Sequence, residues 1–273
     1  MVVLATDAAT SNGWGATLRN GASVHKAKGL WALHERHQPI HILEMRGILM
    51  GIRSFPDKLR GRNVQIVTDN MICKHTLPVG SRLEDLGCWI KAISDELCAL
   101  DASLVDVAWI PSEANVIPDF LSRHVDVNDW TLTREAWQAV QAWWPQLAVD
   151  RFASPENAKL LRFNTRWAHP ESESYNAMAQ DWSREFSYAC PPLAMVGPVL
   201  QLVQEQGARA VVVVPEWIAQ PWWPLLQRLA KKRLRLGPGA QVFQAGMSGQ
   251  CAPHKNSAWT FWAVEVDGRG PRN

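Results

Sequence analysis

Residues 6–16 read "TDAATSNGWGA", directly after the apolar opening "MVVLA". An aspartate at the end of a buried strand is costly to hold as an anion unless it caps a turn or faces a cation. Behind Asp7, "TSNG" marks a tight turn, and "RNGA" at 19–22 marks a second. Residues 2–7, 13–19 and 22–29 therefore predict three short strands in an antiparallel meander. Outward from it, "HILEMRGILMGIRS" (41–54) has apolar residues at 42, 45, 48, 49 and 52, which is helical spacing. "NVQIVTDN" (63–70) reads as a buried strand ending at Asp69, and residues 84–100 as a second long helix. "SLVDVAWIP" reads as another strand and "ANVIPDFLSR" as a short helix. This order describes a mixed α/β domain of about 120 residues.

The composition, 47% hydrophobic and 20% charged, is that of a globular chain. No segment approaches the ~20 apolar residues that span a bilayer, and the N-terminus lacks a signal-peptide pattern. Five cysteines without a CxxC pair predict free thiols, hence an intracellular, non-secreted protein. The net charge of +2 gives no strong global field, but residues 19–37, 57–62 and "RLAKKRLRLGPG" (228–239) are locally basic. Such runs serve as solvated faces or as anion-binding patches. Of the fifteen tryptophans, most belong in cores; an exposed few can stack on bases.

Four acids draw together on this order of elements. Asp7 and Asp69 end strands. Glu44 sits on the first helix, with Gly47 and Gly51 at i+3 and i+7 on its side, so the helix can pack close and carry the carboxylate in. Asp119 falls in the first turn of the last helix, where Asn115 is the expected N-cap and Pro118 is tolerated. Four converging carboxylates repel unless cations intervene. Two Mg²⁺ ions would serve, with Mn²⁺ as a substitute, and such pairs are the machinery of phosphodiester hydrolysis.

"TDAATSNGWGA", "HILEM", "IVTDN" and "WIPSEANVIPDFLSR" resemble the ribonuclease H domain of retroelement polyproteins, most of all the DIRS-type, tyrosine-recombinase retrotransposons. The resemblance covers residues 1–123. It implies a ribonuclease H-like mixed sheet with flanking helices. It also implies metal binding and catalysis by Asp7, Glu44, Asp69 and Asp119, and cleavage of the RNA strand of RNA–DNA hybrids. Ala8, Ala9, Asn12, Asn70 and Arg123 are the expected substrate contacts, the 2′-hydroxyl marking the RNA strand. Ser112 and Pro118 stand where relatives often carry Gly and Ala. The mobile histidine that some relatives place before the last acid is missing from "IPSEANVIP", with His124 just beyond the helix. An upstream reverse transcriptase and a downstream tyrosine recombinase are the implied polyprotein partners.

Beyond residue 124 the character changes. A linker and connecting helix are expected at 125–145, a second α/β domain of doubly wound, Rossmann-like kind at 146–267, and a flexible tail at 268–273. Helices are expected at 194–206 and 221–232. "VDRFASPENAKLLRF", "AQDWS", "SYACPPL" and "RAVVVVPEWIAQPWWPLL" resemble the methyltransferase-like domain that follows ribonuclease H in the same elements. That domain is similar in turn to phage-type DNA N6-adenine methyltransferases. The resemblance places a degenerate cofactor-side site on Asp150, Asn157, Asp181, Cys190, Pro191 and Pro192. The family's catalytic Asn-Pro-Pro-Tyr is Cys190-Pro191-Pro192-Leu193 here, without the amide acceptor or the stacking ring, so bound S-adenosylmethionine is not expected. Two alternatives stand beside the nuclease: a domesticated protein that binds nucleic acid without cutting, and a DNA adenine methyltransferase.

Overall fold

The structure is a computed structural model that describes residues 1–126, 129–246 and 259–270. It comprises two compact units, residues 1–125 with 167–170, and residues 126–166 with 171–273. Cys251 and the last three residues of the expected tail lie outside the described residues.

In the first unit the chain runs β1 (Val2–Ala8), β2 (Gly13–Asn20), β3 (Ser23–Leu30), α1 (Ile40–Arg53), the short α2 (Pro56–Leu59), β4 (Asn63–Thr68), α3 (Met71–Val79), α4 (Glu84–Ala99), β5 (Ser103–Trp109) and α5 (Val116–Arg123). The sheet order is β3-β2-β1-β4-β5. The meander is antiparallel, while β4 pairs parallel to β1 and β5 parallel to β4. This is the expected mixed sheet flanked by helices. The apolar stripe of α1 is buried at Ile42, Met45, Ile48, Leu49 and Ile52, against a sheet whose Leu4, Leu18, Val64 and Ile66 are also buried.

Two glycines on α1 and one on β2 set how close the helices come. A methyl group on Gly51 would stand 3.2 Å from Ala16 Cβ and 3.3 Å from Thr6 Cγ2, so α1 lies on β1 and β2 at nearly the closest approach side chains allow. Gly15 is tighter. A Cβ there would meet Pro118 O at 2.4 Å, Leu121 Cβ at 2.5 Å and Ser122 N at 2.8 Å, so α5 rests directly on β2. Two of these three obstacles are backbone, which cannot swing aside. Gly15→Ala is therefore expected to cost about 3 kcal/mol by urea unfolding, the upper range for overpacking. A loss under about 0.5 kcal/mol would show that α5 shifts freely.

Asn115 corrects one expectation. Its side chain does not cap α5; its Nδ2 donates to Thr6 O at 2.8 Å and ties the start of α5 to β1. The cap is lost because a buried β1 carbonyl competes for the same short side chain.

Residues 167–170 belong to this unit as well. Ala168 bridges Ala27 in parallel, and His169 packs against Trp14 with ring centroids 5.8 Å apart. Burial pulls the His169 imidazole down to about 4 from an ordinary 6.5. The unfolded chain then binds the extra proton, so His169 contributes stability that is complete above pH 6.5 and lost as pH falls to about 4. That contribution reaches about 3 kcal/mol. His169→Gln is expected to flatten this part of the stability–pH curve; an unchanged slope would place the imidazole in solvent.

The second unit contains β6 (Trp130–Leu132), α6 (Arg134–Trp143), β7 (Val149–Asp150), β8 (Asn164–Thr165), β9 (Ser174–Tyr175), β10 (Phe186–Ala189), α7 (Val196–Glu205), β11 (Arg209–Pro215), α8 (Trp223–Leu229), β12 (Ala230–Pro238), α9 (Gly239–Val242), β13 (Phe243–Ala245) and β14 (Thr260–Asp267). Its main sheet has the order β12-β14-β11-β10-β7. β7, β10 and β11 are parallel, and β14 is antiparallel to both its neighbours. β11 is buried on both faces, which is why "RAVVVVP" reads as one apolar run without alternation. Ala210, Val212 and Val214 join one core with α7 and α8, and Val211 and Val213 join another with Trp144 and Phe261.

The helix expected over 221–232 is shorter. α8 ends at Leu229, and residues 230–238 form the edge strand β12. Arg233-Leu234-Arg235-Leu236 has a strand's period of two, and seven residues of β12 pair with β14. Helix propensity in "LAKKRL" yields to that ladder.

A candidate metal centre

Asp7 is the next-to-last residue of β1, Glu44 lies on α1, and Asp69 comes immediately after β4. One carboxylate oxygen from each lies within 4.8 Å of the others. The sheet explains the meeting: β1 and β4 are parallel neighbours, so their C-terminal ends emerge side by side. The glycine face of α1 then lets Glu44 reach the same edge, with Gly47 set over Asp7 O and Ala8.

Asp7 and Glu44 are each only 3% exposed. Burial pushes the Asp7 carboxyl up to about 6; the Ser122 hydroxyl, which donates to it, opposes the rise, and Asp69 and Asp119 add to it. Burial pushes Glu44 well above the usual carboxylate range, and the charges of Asp7 and Asp69 reinforce this. Glu44 Oε1 accepts from Ala8 N at 3.2 Å, but Oε2 is buried with no hydrogen-bond partner. An orphaned, buried oxygen among three like charges suits a hard cation, which takes carboxylate oxygens. The donor set fits a divalent ion of the Mg²⁺ class.

Asp69 is held differently. Ser112 Oγ donates to its Oδ2 at 2.5 Å, and Trp109 Nε1 donates to its backbone oxygen at 2.8 Å. Asp119 stands outside the three-carboxylate group. It is in the first turn of α5, and its Oδ1 accepts from Arg123 Nε at 2.6 Å.

The expected substrate contacts are largely engaged within the fold. Ala8 N holds Glu44, and Ala9 N closes the turn on Gly13 O at 2.8 Å. Asn12 Nδ2 donates to Ser122 O at 2.9 Å and His124 O at 3.3 Å. Asn70 caps α3, its Oδ1 accepting from Ile72 N and Cys73 N. Arg123 is exposed and paired with Asp119. Ser122 and Trp109 were missed by sequence reasoning. Ser122 had a signal, since it stands at i+3 from Asp119 and so shares its helix face. Trp109 had none.

In the second unit, Asp150 ends β7 fully inside, accepting from Phe152 N at 3.3 Å and Lys159 N at 3.1 Å. Its burial raises it to about 6. Cys190 follows β10 close to Asp150, and burial pushes its thiol up to about 12, where it is no nucleophile at neutral pH. Pro191 is buried and Pro192 half-buried beside it. Asn157 folds back on Ser154 N and Asp129, and Asp181 is exposed, pairing with Ser183 and Arg184. Asp150 and Cys190 come together; Asn157 is tied to Ser154 and Asp129, and Asp181 is committed to a local turn.

No protein-family model matches the sequence, and no curated protein matches it. Several solved structures are similar to the chain. The N-terminal ribonuclease H domain of a Mycobacterium tuberculosis protein is 16% identical with a TM-score of 0.37, over 44% of this chain and 94% of that one. Ribonuclease H1 from Halobacterium salinarum is 15% identical with a TM-score of 0.35, over 44% and 92%. A ribonuclease H1 called LC11, solved with an RNA/DNA hybrid and isolated from compost by a metagenomic approach, is 17% identical with a TM-score of 0.35, over 44% and 93%. Such low values leave fold and activity to be argued from this chain's own residues.

Proposed function

We propose that the chain is a divalent-metal-dependent endonuclease that hydrolyses the RNA strand of RNA–DNA hybrids. The convergence of Asp7, Glu44 and Asp69 at one end of a mixed sheet carries the reading. These three would hold the metal, with Asp119 the candidate fourth ligand. When bound, Mg²⁺ ions supply an activated water and a counter-charge for the leaving oxygen. The chain's part is to hold the acids ready: Ala8 N–H fixes one oxygen of Glu44, Ser122 fixes Asp7, and Ser112 fixes Asp69. Fixing them in advance removes reorganisation from the reaction.

We read the second unit as a methyltransferase-like module that has lost its chemistry, supported by the half-buried, protonated Cys190 thiol where the family's amide would stand. The order of the four N-terminal motifs supports a retroelement origin, with polymerase and recombinase partners. The test is a hybrid labelled on each strand in turn, incubated with the purified chain in Mg²⁺, Mn²⁺ or EDTA. Cleavage of the RNA strand alone, and only with metal, is expected. Cutting that survives EDTA, or that spares neither strand, would sink the proposal.

A further inference from the structure

Residues 167–170 belong to the first unit, although the chain on either side of them belongs to the second. They run along β3, the edge strand of the first sheet. Ala168 N donates to Lys26 O at 2.9 Å, and Lys28 N donates to Ala168 O at 3.2 Å, the two bonds of a parallel bridge. Lys26 Nζ stands 5.3 Å from the centre of the Trp167 ring. An open edge invites pairing with another chain, so covering it is one use of this segment. The side chain of His169 points to a second use.

Ala8, Trp14 and Gly29 are cross-strand partners on β1, β2 and β3, so they form one row on one face of the sheet. That face lies under α1: a Cβ on Gly47 would stand 3.7 Å from Trp14 Cβ and 3.9 Å from Ala8 Cβ. His169 continues the row. A Cβ on Gly29 would stand 2.5 Å from Trp14 Nε1 and 2.9 Å from His169 Nε2, so the two rings share the space that a side chain at Gly29 would take. Their centroids are 5.8 Å apart, and Trp14 is only 2% exposed. The other end of the row is the metal centre. Ala8 N donates to Glu44 Oε1 at 3.2 Å, and Glu44 stands three residues before Gly47 on α1. Trp14 therefore touches both supports of Glu44, the β1 residue that holds its carboxylate and the helix that carries it.

We infer that residues 167–170 are a strap that completes the metal centre from outside residues 1–125, with His169 a positioning residue that fixes Glu44 through Trp14. The inference rests on the reading of Asp7, Glu44 and Asp69 as metal ligands. Groups that orient a ligand without touching the ion set how tightly the ion is held. With the strap undocked, the space over Gly29 empties, and the Trp14 indole loses the ring that blocks its movement toward the sheet edge. Ala8 and α1 are then less firmly seated, and Glu44 with them.

The test is calorimetric titration of the full chain with Mg²⁺, well below the melting temperature of every variant compared, together with hydrogen exchange at the Lys28 amide. His169→Ala should weaken Mg²⁺ binding about tenfold, the lower end of the range for residues that support a ligand. Ala168→Pro keeps the imidazole but removes the N–H that donates to Lys26 O. It should weaken Mg²⁺ binding in the same direction and speed exchange at Lys28. Leu59→Ala, which empties a buried site on α2, should lower the melting temperature and leave the Mg²⁺ affinity within about twofold. Unchanged affinity in both strap variants, beside a wild type that binds Mg²⁺, would overturn the positioning role and leave the metal centre standing. No Mg²⁺ binding by the wild type would overturn both. Equal weakening by Leu59→Ala would reduce His169 to general stability and so overturn its role. A Lys28 amide that exchanges as fast in the wild type as in Ala168→Pro would show that no strap is docked.

Discussion

Asp69→Asn is expected to lower hybrid cleavage by about a thousandfold or more, equivalent to about 4 kcal/mol of transition-state stabilisation, while the urea midpoint stays at or slightly above wild type. The substitution keeps the shape and removes one charge. Ser112 Oγ can still donate to the remaining side-chain oxygen, and Trp109 Nε1 still reaches the backbone carbonyl, so neither local tie is lost. Asp69 is only half-buried, and its negative charge raises both Asp7 and Glu44. Neutralising it therefore relieves repulsion in the metal-free protein. A purely structural aspartate would behave differently, since its loss would cost stability and leave whatever activity exists in proportion to folded protein. Cleavage by the variant above the level of a parallel mock preparation would remove Asp69 from the metal site.

The first unit was legible because most of its elements state their own period, although the short α2 and α3 were not read. The turns at "TSNG" and "RNGA" punctuate the meander, and the five apolar positions of α1 repeat at helical spacing and are all buried. The meeting of Asp7, Glu44 and Asp69 followed from strand ends and a glycine-faced helix, both visible in sequence. The environment of these acids was not. That Asn12, Ala8 and Ala9 point inward depends on where α5 and the β1–β2 turn meet, a long-range contact that local pattern does not encode. The same is true of Asn115, whose side chain prefers a carbonyl more than a hundred residues away to its own helix end.

The second unit shows the opposite balance. Its β7, β8 and β9 are two residues each, too short for any periodicity to announce them. β12 had a clear alternation in "RLRL", but the lysines and leucines before it also suit a helix. The competition is decided by β14, which supplies a ladder that the isolated segment lacks. Trp130–Leu132 pairs with Phe243–Ala245, and nothing in either tripeptide foretells the other. A basic run that reads as solvated surface becomes, once on a strand, two arginines on one face and a lysine on the other.

Glu44→Gln separates the metal-site reading from a structural one most sharply, because its two effects have opposite signs. In EDTA the variant is expected to be more stable than the wild type by about 1–2 kcal/mol, the scale of a hydrogen bond to a charged group. The amide oxygen can keep the bond from Ala8 N, and the amide nitrogen offers donors to Asp7 and Asp69 where Glu44 Oε2 now has none. With Mg²⁺ added, the order should reverse in function: the wild type gains stability by mass action and cuts the hybrid, while the variant gains little and does not cut. Thermal unfolding across a Mg²⁺ titration, with cleavage measured on the same samples, reads both. A buried glutamate kept for packing would give a variant that is destabilised in EDTA and indifferent to Mg²⁺. If Mg²⁺ instead raised the melting temperature of Glu44→Gln as far as that of the wild type, the ion would be held without Glu44, and the carboxyl's burial beside Asp7 and Asp69 would need another cause.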